Sequence, residues 1–312
     1  MSAAWGDRVV SAQGCSGRRR FRMVVVGLPI VNVAMVPQRS PFRYPGGKTW
    51  LVPYARPWLK SGPRRFAELI EPFAGGAIIG LTAAFEGLAE NVTLAERDPE
   101  VAAVWHTILG GDGRWLADKV ADFEVTPESV RRVLNATPRT TRDRAFQTLL
   151  RNRVQRGGIM ASGAGLMKNG ENGRGLKSRW YPATLRRRIL AIDAMRDRIR
   201  FEEGDGMNVI RRNLRRRDAA FFIDPPYTVA GRRLYTHSEI DHEELFSLAR
   251  ELAGDFLMTY DNAEEIRGLA RRHGFHMRLV PMKSTHHAEM LELLIGRDLD
   301  WVPGPPAPYS VP

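Results

Sequence analysis

Short apolar segments alternate with amphipathic ones along most of the chain. The run over 66–71 predicts a buried strand, followed by a glycine turn and a helix ending near Glu86. Residues 92–95 predict a second strand, after which Asp98 and Pro99 are typical of a helix start. Further strands are predicted over 199–202, 219–223, 255–260 and 289–295. Strands that alternate with helices indicate an α/β fold with a doubly wound, mostly parallel sheet.

Residues 105–200 interrupt this alternation with Arg-rich helical stretches and a glycine-rich segment. Seven of the nineteen residues over 157–175 are glycine. Such a polar segment inside a compact enzyme is usually functional or disordered, because it lacks apolar surface to bury. We therefore expect a catalytic domain formed by 41–104 and 201–300, with residues 105–200 inserted as a mainly helical lobe. Residues 301–312 form a Pro-rich tail.

The amino-terminal residues 1–40 are basic and contain an apolar run over 23–36. Pro29 and Asn32 interrupt that run and no clear cleavage site follows, which disfavours a signal peptide. We expect residues 1–40 to be a disordered extension, or translation to start at Met35 rather than at the first methionine.

Positive charge is concentrated in one part of the sequence. The 312 residues include 47 Lys and Arg and 35 Asp and Glu, a formal net charge of +12. Residues 131–217 hold 23 of the cations and 7 of the acids, so this third carries +16 and the remainder −4. A basic zone of this kind is typical of a protein that binds a polyanion. A solvated face or an Arg-biased genome is the alternative, since 41 of the cations are Arg.

The single Cys15 excludes an internal disulfide framework, and no apolar stretch is long enough to cross a bilayer. We therefore expect a cytoplasmic protein without a membrane partner. The histidines do not predict a metal site, because no carboxylate or thiol completes a ligand set at the usual spacing. The histidines considered are His237, His242, His286 and His287.

Glycines follow the first predicted strand, at Gly75 and Gly76, where backbone approaches a ligand closely. Some twenty residues later, Glu96 at the tip of the second strand can accept hydrogen bonds from a ribose. The Gly-x-Gly-x-x-Gly pattern of dinucleotide sites is absent, so a nucleoside cofactor is favoured. Without Glu96, a plain tight turn would be the preferred interpretation.

The tetrapeptide Asp224-Pro225-Pro226-Tyr227 follows the apolar strand over 219–223. Its prolines cannot continue a strand, so they form a rigid turn at the carboxyl edge of the sheet. This turn offers a carboxylate, a carbonyl and an aromatic ring, which suit the N–H groups and the face of a planar amine. The alternative is an Asp-Pro turn with a tyrosine in the core.

Together and in this order, the motifs resemble the Dam-like (alpha-group) S-adenosylmethionine-dependent DNA adenine N6-methyltransferases. The family's amino-terminal signature, an aromatic and a small residue before Gly-Gly-Lys, is matched over 44–48. Its glycine motif is matched over 71–76, its acidic tip by Glu96 and its catalytic tetrapeptide over 224–227. The resemblance covers roughly residues 41–298 and implies a Rossmann-like methyltransferase sheet with an inserted DNA-recognition lobe.

The resemblance implies S-adenosylmethionine as cofactor and double-stranded DNA as partner. The residues that it implies for catalysis are Asp224, Pro225, Pro226 and Tyr227. The residues that it implies for the cofactor are Tyr44, Gly46, Gly47, Lys48, Pro72, Phe73, Ala74, Gly75, Gly76, Glu96, Asp205 and Asp224. Lys48 would bind the methionine carboxylate, Glu96 the ribose and Asp205 the cofactor's adenine. An acidic surface turn is an equal alternative for Asp205.

The implied reaction is direct methyl transfer to N6 of an adenine that is flipped out of the duplex, without a metal or a covalent intermediate. The DNA contacts that we expect are Arg151, Arg153, Arg156, Lys168, Asn169, Arg174, Lys177 and Arg179. Arg186, Arg187 and Arg188 are either further contacts or a solvated helix face. The insertion is less like that of Dam itself, so the Dam target sequence is not implied.

Two other classes of function stay open. One is methylation of a different acceptor on the same scaffold, such as cytosine N4, RNA or a protein amide. The other is a catalytically idle DNA-binding protein, although such a protein has no physical need for an intact Gly-Gly-Lys or Asp-Pro-Pro-Tyr. A cognate restriction endonuclease is left open as a partner, and a monomer is the favoured oligomeric state.

Overall fold

The computed structural model describes residues 24–25, 30–43, 47–62, 65–156, 165–170, 173–226, 240–283 and 289–302. Its strands are β1 (Val24–Val25), β2 (Phe66–Glu71), β3 (Ala89–Glu96), β4 (Ile199–Glu203), β5 (Ala219–Ile223), β6 (Asp255–Asp261), β7 (His276–Lys283) and β8 (Glu289–Gly296). The first helices are α1 (Val52–Ser61), α2 (Ile78–Glu86), α3 (Pro99–Thr107), α4 (Gly113–Asp122) and α5 (Pro127–Asn135). The later ones are α6 (Thr141–Val154), α7 (Pro182–Asp193), α8 (Gly206–Arg212), α9 (His242–Glu251) and α10 (Glu264–His273).

The strands form a single sheet in the order β1-β7-β8-β6-β5-β2-β3-β4. Strands β2 to β6 pair in parallel, whereas β8 runs antiparallel to both of its neighbours, β6 and β7. The predicted α/β class with a doubly wound, mostly parallel sheet is confirmed. Strand β7 was not predicted, because His276, Arg278 and Pro281 interrupt its apolar pattern.

The alternation of side chains along β5 explains why the sheet has a core on each face. Ala220 and Phe222 belong to one buried cluster, while Phe221 and Ile223 belong to the other. Successive strand residues point to opposite faces, and all five residues of β5 are buried. A central parallel strand covered on both faces therefore appears in the sequence as a continuous apolar run.

Helices α4 to α7 lie within 105–200, the range for which we predict an inserted, mainly helical lobe. Helix α4 packs against α7, and α6 packs against both α5 and α3. The starts of α5 and α6 follow from local sequence, because Thr126 with Ser129 and Thr140 with Asp143 form capping boxes. The contact between α3 and α6 joins the lobe to the catalytic domain, since α3 directly follows β3.

Residues 30–40, which we expected outside the fold, pack against it. Val36 is 5% exposed within the larger core cluster, and Arg39 forms an ion pair with Glu86 of α2. The backbone of β1 also pairs in parallel with β7. The amino-terminal boundary predicted at residue 40 is therefore placed too late, because Val36 is part of the buried core.

The predictions for the other amino-terminal residues and for 303–312 lie outside the described residues. In the part of the chain that the structure describes, no helix combines the length and the hydropathy that crossing a membrane requires.

Candidate active site

The topology of the sheet brings the residues predicted for catalysis and cofactor binding to the carboxyl edge of the sheet. From β2 the chain passes to β3 and β4 on one side, then returns to β5 on the other side of β2. The carboxyl ends of β2 and β5 therefore border the point where the strand order reverses, which is where open α/β sheets bind ligands. Glu71 ends β2, and Asp224 directly follows β5.

The glycine turn after β2 is tied to the tip of β3. The Gly75 amide donates to Oε2 of Glu96 (2.9 Å), and the Asp98 amide donates to Oε1 of the same carboxylate (2.9 Å). Gly75 has a φ of 46°, a conformation that glycine adopts without strain, and its carbonyl accepts from the Trp105 indole (3.0 Å). Burial raises the pKa of Glu96, while these amides favour its charged form. The Glu96 carboxylate is thus a hydrogen-bond acceptor in a fixed orientation, next to the backbone of the glycine turn.

Glu71 lies beneath this turn and is 3% exposed. Its Oε2 accepts from the Gly80 amide of α2 (2.7 Å). Burial raises the pKa of Glu71 well above its ordinary value, and the nearby charge of Asp224 acts in the same direction. Glu71 therefore ties the end of β2 to the first turn of α2.

Lys48 lies between two carboxylates from separate strands. Its Nζ is 3.2 Å from Oδ1 of Asp224 and 2.9 Å from Oε1 of Glu292 on β8. Lys48 and Glu292 are 5% and 4% exposed. Thr259 of β6 donates its hydroxyl to the same Oδ1 of Asp224 (2.7 Å). The Asp224 carboxylate is therefore held in one orientation at the carboxyl edge, with its side chain 22% exposed.

Asp205 lies at the start of α8, next to the glycine turn. Its Oδ1 accepts from the Met207 amide (2.7 Å), so it acts as the helix cap. A Cβ on Gly206 would lie 2.2 Å from the Pro72 carbonyl oxygen, so only glycine allows this close approach. The structure thus brings Asp205, Pro72, Glu96 and Asp224 to one edge of the sheet.

Three of the residues predicted for the site, Tyr44, Gly46 and Tyr227, lie outside the described residues. So do His237, His286 and His287, which were considered and rejected as metal ligands. Gly47 is exposed, and Phe73 and Gly76 are half-buried, whereas Ala74 is buried. His242 pairs through Nδ1 with the Tyr260 hydroxyl (2.7 Å), and burial lowers its pKa. Among the described residues, no three His, Cys, Asp or Glu side chains group as metal ligands would.

The residues predicted to contact DNA divide into two sets. Arg156, Lys168, Asn169, Arg174 and Lys177 are exposed. Arg151 is half-buried and ion-paired with Glu100, and Arg179 is half-buried. Arg153 is 6% exposed and donates to the Pro41 carbonyl. The prediction that Arg153 contacts DNA is therefore wrong, because its guanidinium is buried and bonded inside the protein.

The family model for "D12 class N6 adenine-specific DNA methyltransferase" matches residues 44–280. The chain belongs to this family. The match includes the glycine turn, the acidic tip, the inserted lobe and the Asp-Pro-Pro-Tyr segment of the methyltransferase. Among curated proteins, none matches the sequence.

Three solved structures are similar to the chain, each at low identity and a low TM-score. A putative RNA methyltransferase from Pyrococcus horikoshii is 11% identical, covering 88% of this chain and 92% of its own, at a TM-score of 0.38. A precorrin-6y C5,15-methyltransferase from Geobacter metallireducens GS-15 is 9% identical, with 88% and 98% covered and a TM-score of 0.35. An uncharacterized protein from Listeria monocytogenes serotype 4b is 9% identical, with 81% and 69% covered and a TM-score of 0.35. These scores carry no argument about substrate.

The sequence did not predict the roles of Glu292 and Thr259 in this methyltransferase. A signal was present for Glu292, because it is an acid inside the apolar run Leu291 to Ile295. A charged residue at a buried strand position needs a partner of opposite charge, and Lys48 supplies it. Thr259 gave no comparable signal, since threonine is common in strands.

We predict that Lys48→Met lowers the free energy of unfolding by about 3 kcal/mol, because it leaves buried Glu292 without its counter-charge. Adding Glu292→Leu should restore part of the loss, since an apolar pair replaces the ion pair. Urea denaturation measures both effects. As a control, Arg272→Met removes an exposed ion pair with Glu243 and should change stability little. Equal effects of the two single substitutions would contradict a structural role for the Lys48 pair.

Ala77, at the amino end of α2, has a φ of 51° without being glycine. This left-handed conformation costs a residue with a Cβ roughly 1–2 kcal/mol. Ala77→Gly should therefore stabilise the methyltransferase by about 1 kcal/mol in urea denaturation. Ala83→Gly, inside the same helix, should instead destabilise it by about 1 kcal/mol or more. A loss of stability in Ala77→Gly would contradict the proposed strain.

Proposed function

We propose that this methyltransferase transfers a methyl group from S-adenosylmethionine to N6 of an adenine flipped out of double-stranded DNA, as a Dam-like (alpha-group) enzyme. The observation that carries the proposal is the held carboxylate of Asp224. It lies at the reversal point of the strand order and next to the turn that Glu96 fixes. The membership of the D12 class supports the same reaction.

The residues beside Asp224 suit S-adenosylmethionine, which supplies a methyl group on a positively charged sulfur. Glu96 presents carboxylate oxygens whose orientation the Gly75 and Asp98 amides set, as recognition of a ribose diol requires. The backbone over 72–76 would line the methionine part, and Asp205 would contact the cofactor's adenine. Lys48 is already engaged by Asp224 and Glu292, so we assign it to orienting Asp224 rather than to the methionine carboxylate.

Asp224 and the Pro225 carbonyl would accept the N6 hydrogens of the target adenine. These hydrogen bonds direct the nitrogen lone pair toward the methyl group, and Tyr227 would stack on the base. The bond from the methyl carbon to N6 would form as its bond to sulfur breaks, which leaves a neutral thioether, and the excess N6 proton would be lost to solvent through Asp224. Lys48 and Thr259 support this step because they fix Oδ1 of Asp224 before any substrate binds. Preorganised polar groups of this kind avoid reorganisation during the reaction. An adenine inside the duplex cannot reach the carboxylate, so the base has to be flipped.

The proposal is tested by incubating the protein with S-adenosylmethionine carrying a labelled methyl group and with unmethylated double-stranded DNA. Digestion to nucleosides then identifies the modified base, and N6-methyladenine is the expected product. Label on cytosine N4, on RNA or on protein would contradict the DNA adenine assignment in favour of another acceptor. Absence of both cofactor binding and transfer would favour the idle DNA-binding alternative.

We predict that Asp224→Asn lowers the rate of methyl transfer by about 100-fold or more, because the carboxylate acceptor for the N6 hydrogens is lost. Cofactor affinity should change far less. Asp255→Asn is a matched control, since Asp255 begins β6 at the opposite edge of the sheet and accepts from the Trp58 indole. If Asp224→Asn turned over at the rate of the control, Asp224 would not be the catalytic residue.

The exposed cations between α6 and α7 are the proposed phosphate contacts. Arg156, Lys168, Arg174 and Lys177 form no ion pair with any residue that the structure describes. Replacing these four by Ala should lower the slope of log K against log salt concentration by about 3 to 4, because each phosphate contact contributes about 0.9.

The control replaces four exposed Arg that are already ion-paired, so that the total charge changes equally. They are Arg211, Arg212, Arg271 and Arg272, whose partners are Glu244, Glu202, Glu264 and Glu243. We expect the slope of this variant to stay near that of the wild type. The same slope in both fourfold variants would show that net charge alone, and not this surface, binds DNA.

A further inference from the structure

The last turn of α6 holds the backbone that leads into the amino-terminal signature. Asn152 accepts from the Arg43 amide through Oδ1 (2.8 Å) and donates to the Arg43 carbonyl through Nδ2 (2.9 Å). A single side-chain amide thus pairs with both polar backbone groups of one residue, as a neighbouring strand would. The next residue, Arg153, donates to the Pro41 carbonyl, and Arg188 of α7 donates to the Ser40 carbonyl (3.0 Å).

These contacts are made inside the protein. Asn152 is fully buried, and burial together with nearby Arg188 and Arg43 lowers the pKa of Arg153 to about 9. Burying a guanidinium and an amide costs free energy unless their hydrogen bonds are made. The lobe therefore holds the backbone of residues 40–43 in one position, because any other position would leave these buried groups without partners. The contacts cross between units, because α6 and α7 belong to the lobe while residues 40–43 lead into the catalytic domain.

The two hydrogen bonds between Asn152 and Arg43 bear on function because Arg43 directly precedes the amino-terminal signature. Residues 44–46 connect Arg43 to Gly47, and Lys48 is fixed beyond them by Asp224 and Glu292. Arg43 and Lys48, which stand on either side of residues 44–47 in the sequence, are therefore both anchored. Anchoring both ends reduces the conformational freedom that is lost when a ligand binds, which increases affinity without a new contact.

We propose that Asn152 is a positioning residue for cofactor binding, acting through the backbone of Arg43. The inference rests on the proposed function, because it assumes that residues 44–47 contact S-adenosylmethionine. Asn152 itself touches neither cofactor nor DNA. Its position directly before the DNA-binding surface also makes α6 the element that joins the lobe to the cofactor site.

The test compares Asn152→Ala with Gln147→Ala in the full chain. Gln147 is a matched control, because it lies on the same helix, is 6% exposed and bonds the Val133 and Ala136 carbonyls within the lobe. Equilibrium dialysis gives the Kd of S-adenosylmethionine, and anisotropy with a labelled duplex gives the Kd of DNA. Methyl-transfer assays give KM and kcat.

We expect Asn152→Ala to raise the Kd and the KM of S-adenosylmethionine about tenfold. The kcat and the DNA Kd should stay within about threefold, and Gln147→Ala should leave all four quantities within that range. Asn152→Asp keeps the acceptor for the Arg43 amide and nearly the same shape, so it should fold and give a smaller rise in cofactor Kd. This second variant decides the question if Asn152→Ala does not fold.

Unchanged cofactor affinity in both Asn152 variants would overturn the inference while leaving the proposed function intact. Parallel losses of cofactor and DNA affinity in the Asn152 and Gln147 variants would also overturn it, since Asn152 would then be only structural. A wild-type protein that binds no S-adenosylmethionine would overturn the proposed function and this inference together.

Discussion

The buried ammonium of Lys48 is the interaction on which the arrangement of the site depends. Placing one cation and two carboxylates at a protein edge where water is scarce is costly unless each charge finds its partner. Lys48 contacts Asp224 and Glu292, and it thereby joins the amino-terminal segment to the end of β5 and to the middle of β8. Thr259 adds a contact from β6. This cluster fixes β5, β6, β8 and the short helical turn Lys48–Leu51 relative to each other.

The strand order gives the cluster its neighbours. Because the chain reverses direction across the sheet between β4 and β5, the ends of β2 and β5 lie side by side. Glu96 at the adjacent tip of β3 fixes the glycine turn through the Gly75 amide. An acceptor for a ribose and an acceptor for an amine therefore meet at one edge, although they are far apart in the chain. The lobe reaches the same edge through α6, whose last turn holds Arg43.

Local sequence predicted those features that local physics determines. The strand at 219–223 is a continuous apolar run, and Asp98 with Pro99 starts α3 as a cap and first residue do. The glycine turn and Glu96 were also predicted, because a residue with positive φ and an acid at a strand tip leave a direct trace in sequence. The helical character of residues 105–200 was predicted for the same reason, since the composition of this range differs from that of the rest of the chain.

Contacts between distant segments were not predictable. Nothing near Asn152 in the sequence identifies Arg43 as its partner, and Arg153 resembled its exposed neighbours although it is buried. Strand β7 was missed because its polar residues are tolerated near the edge of the sheet, where burial no longer enforces an apolar pattern. Residues 30–40 were placed outside the fold because Val36 lies in a run that resembled a signal segment.

The most direct test of this account is a crystal structure of the protein with S-adenosylhomocysteine and a DNA duplex that contains its target adenine. The account predicts a flipped adenine with N6 within hydrogen-bonding distance of Asp224, and the cofactor ribose on Glu96. Lys48 should still contact Asp224 and Glu292. A nucleoside bound away from Glu96, or a target base whose amino group is distant from Asp224, would contradict it.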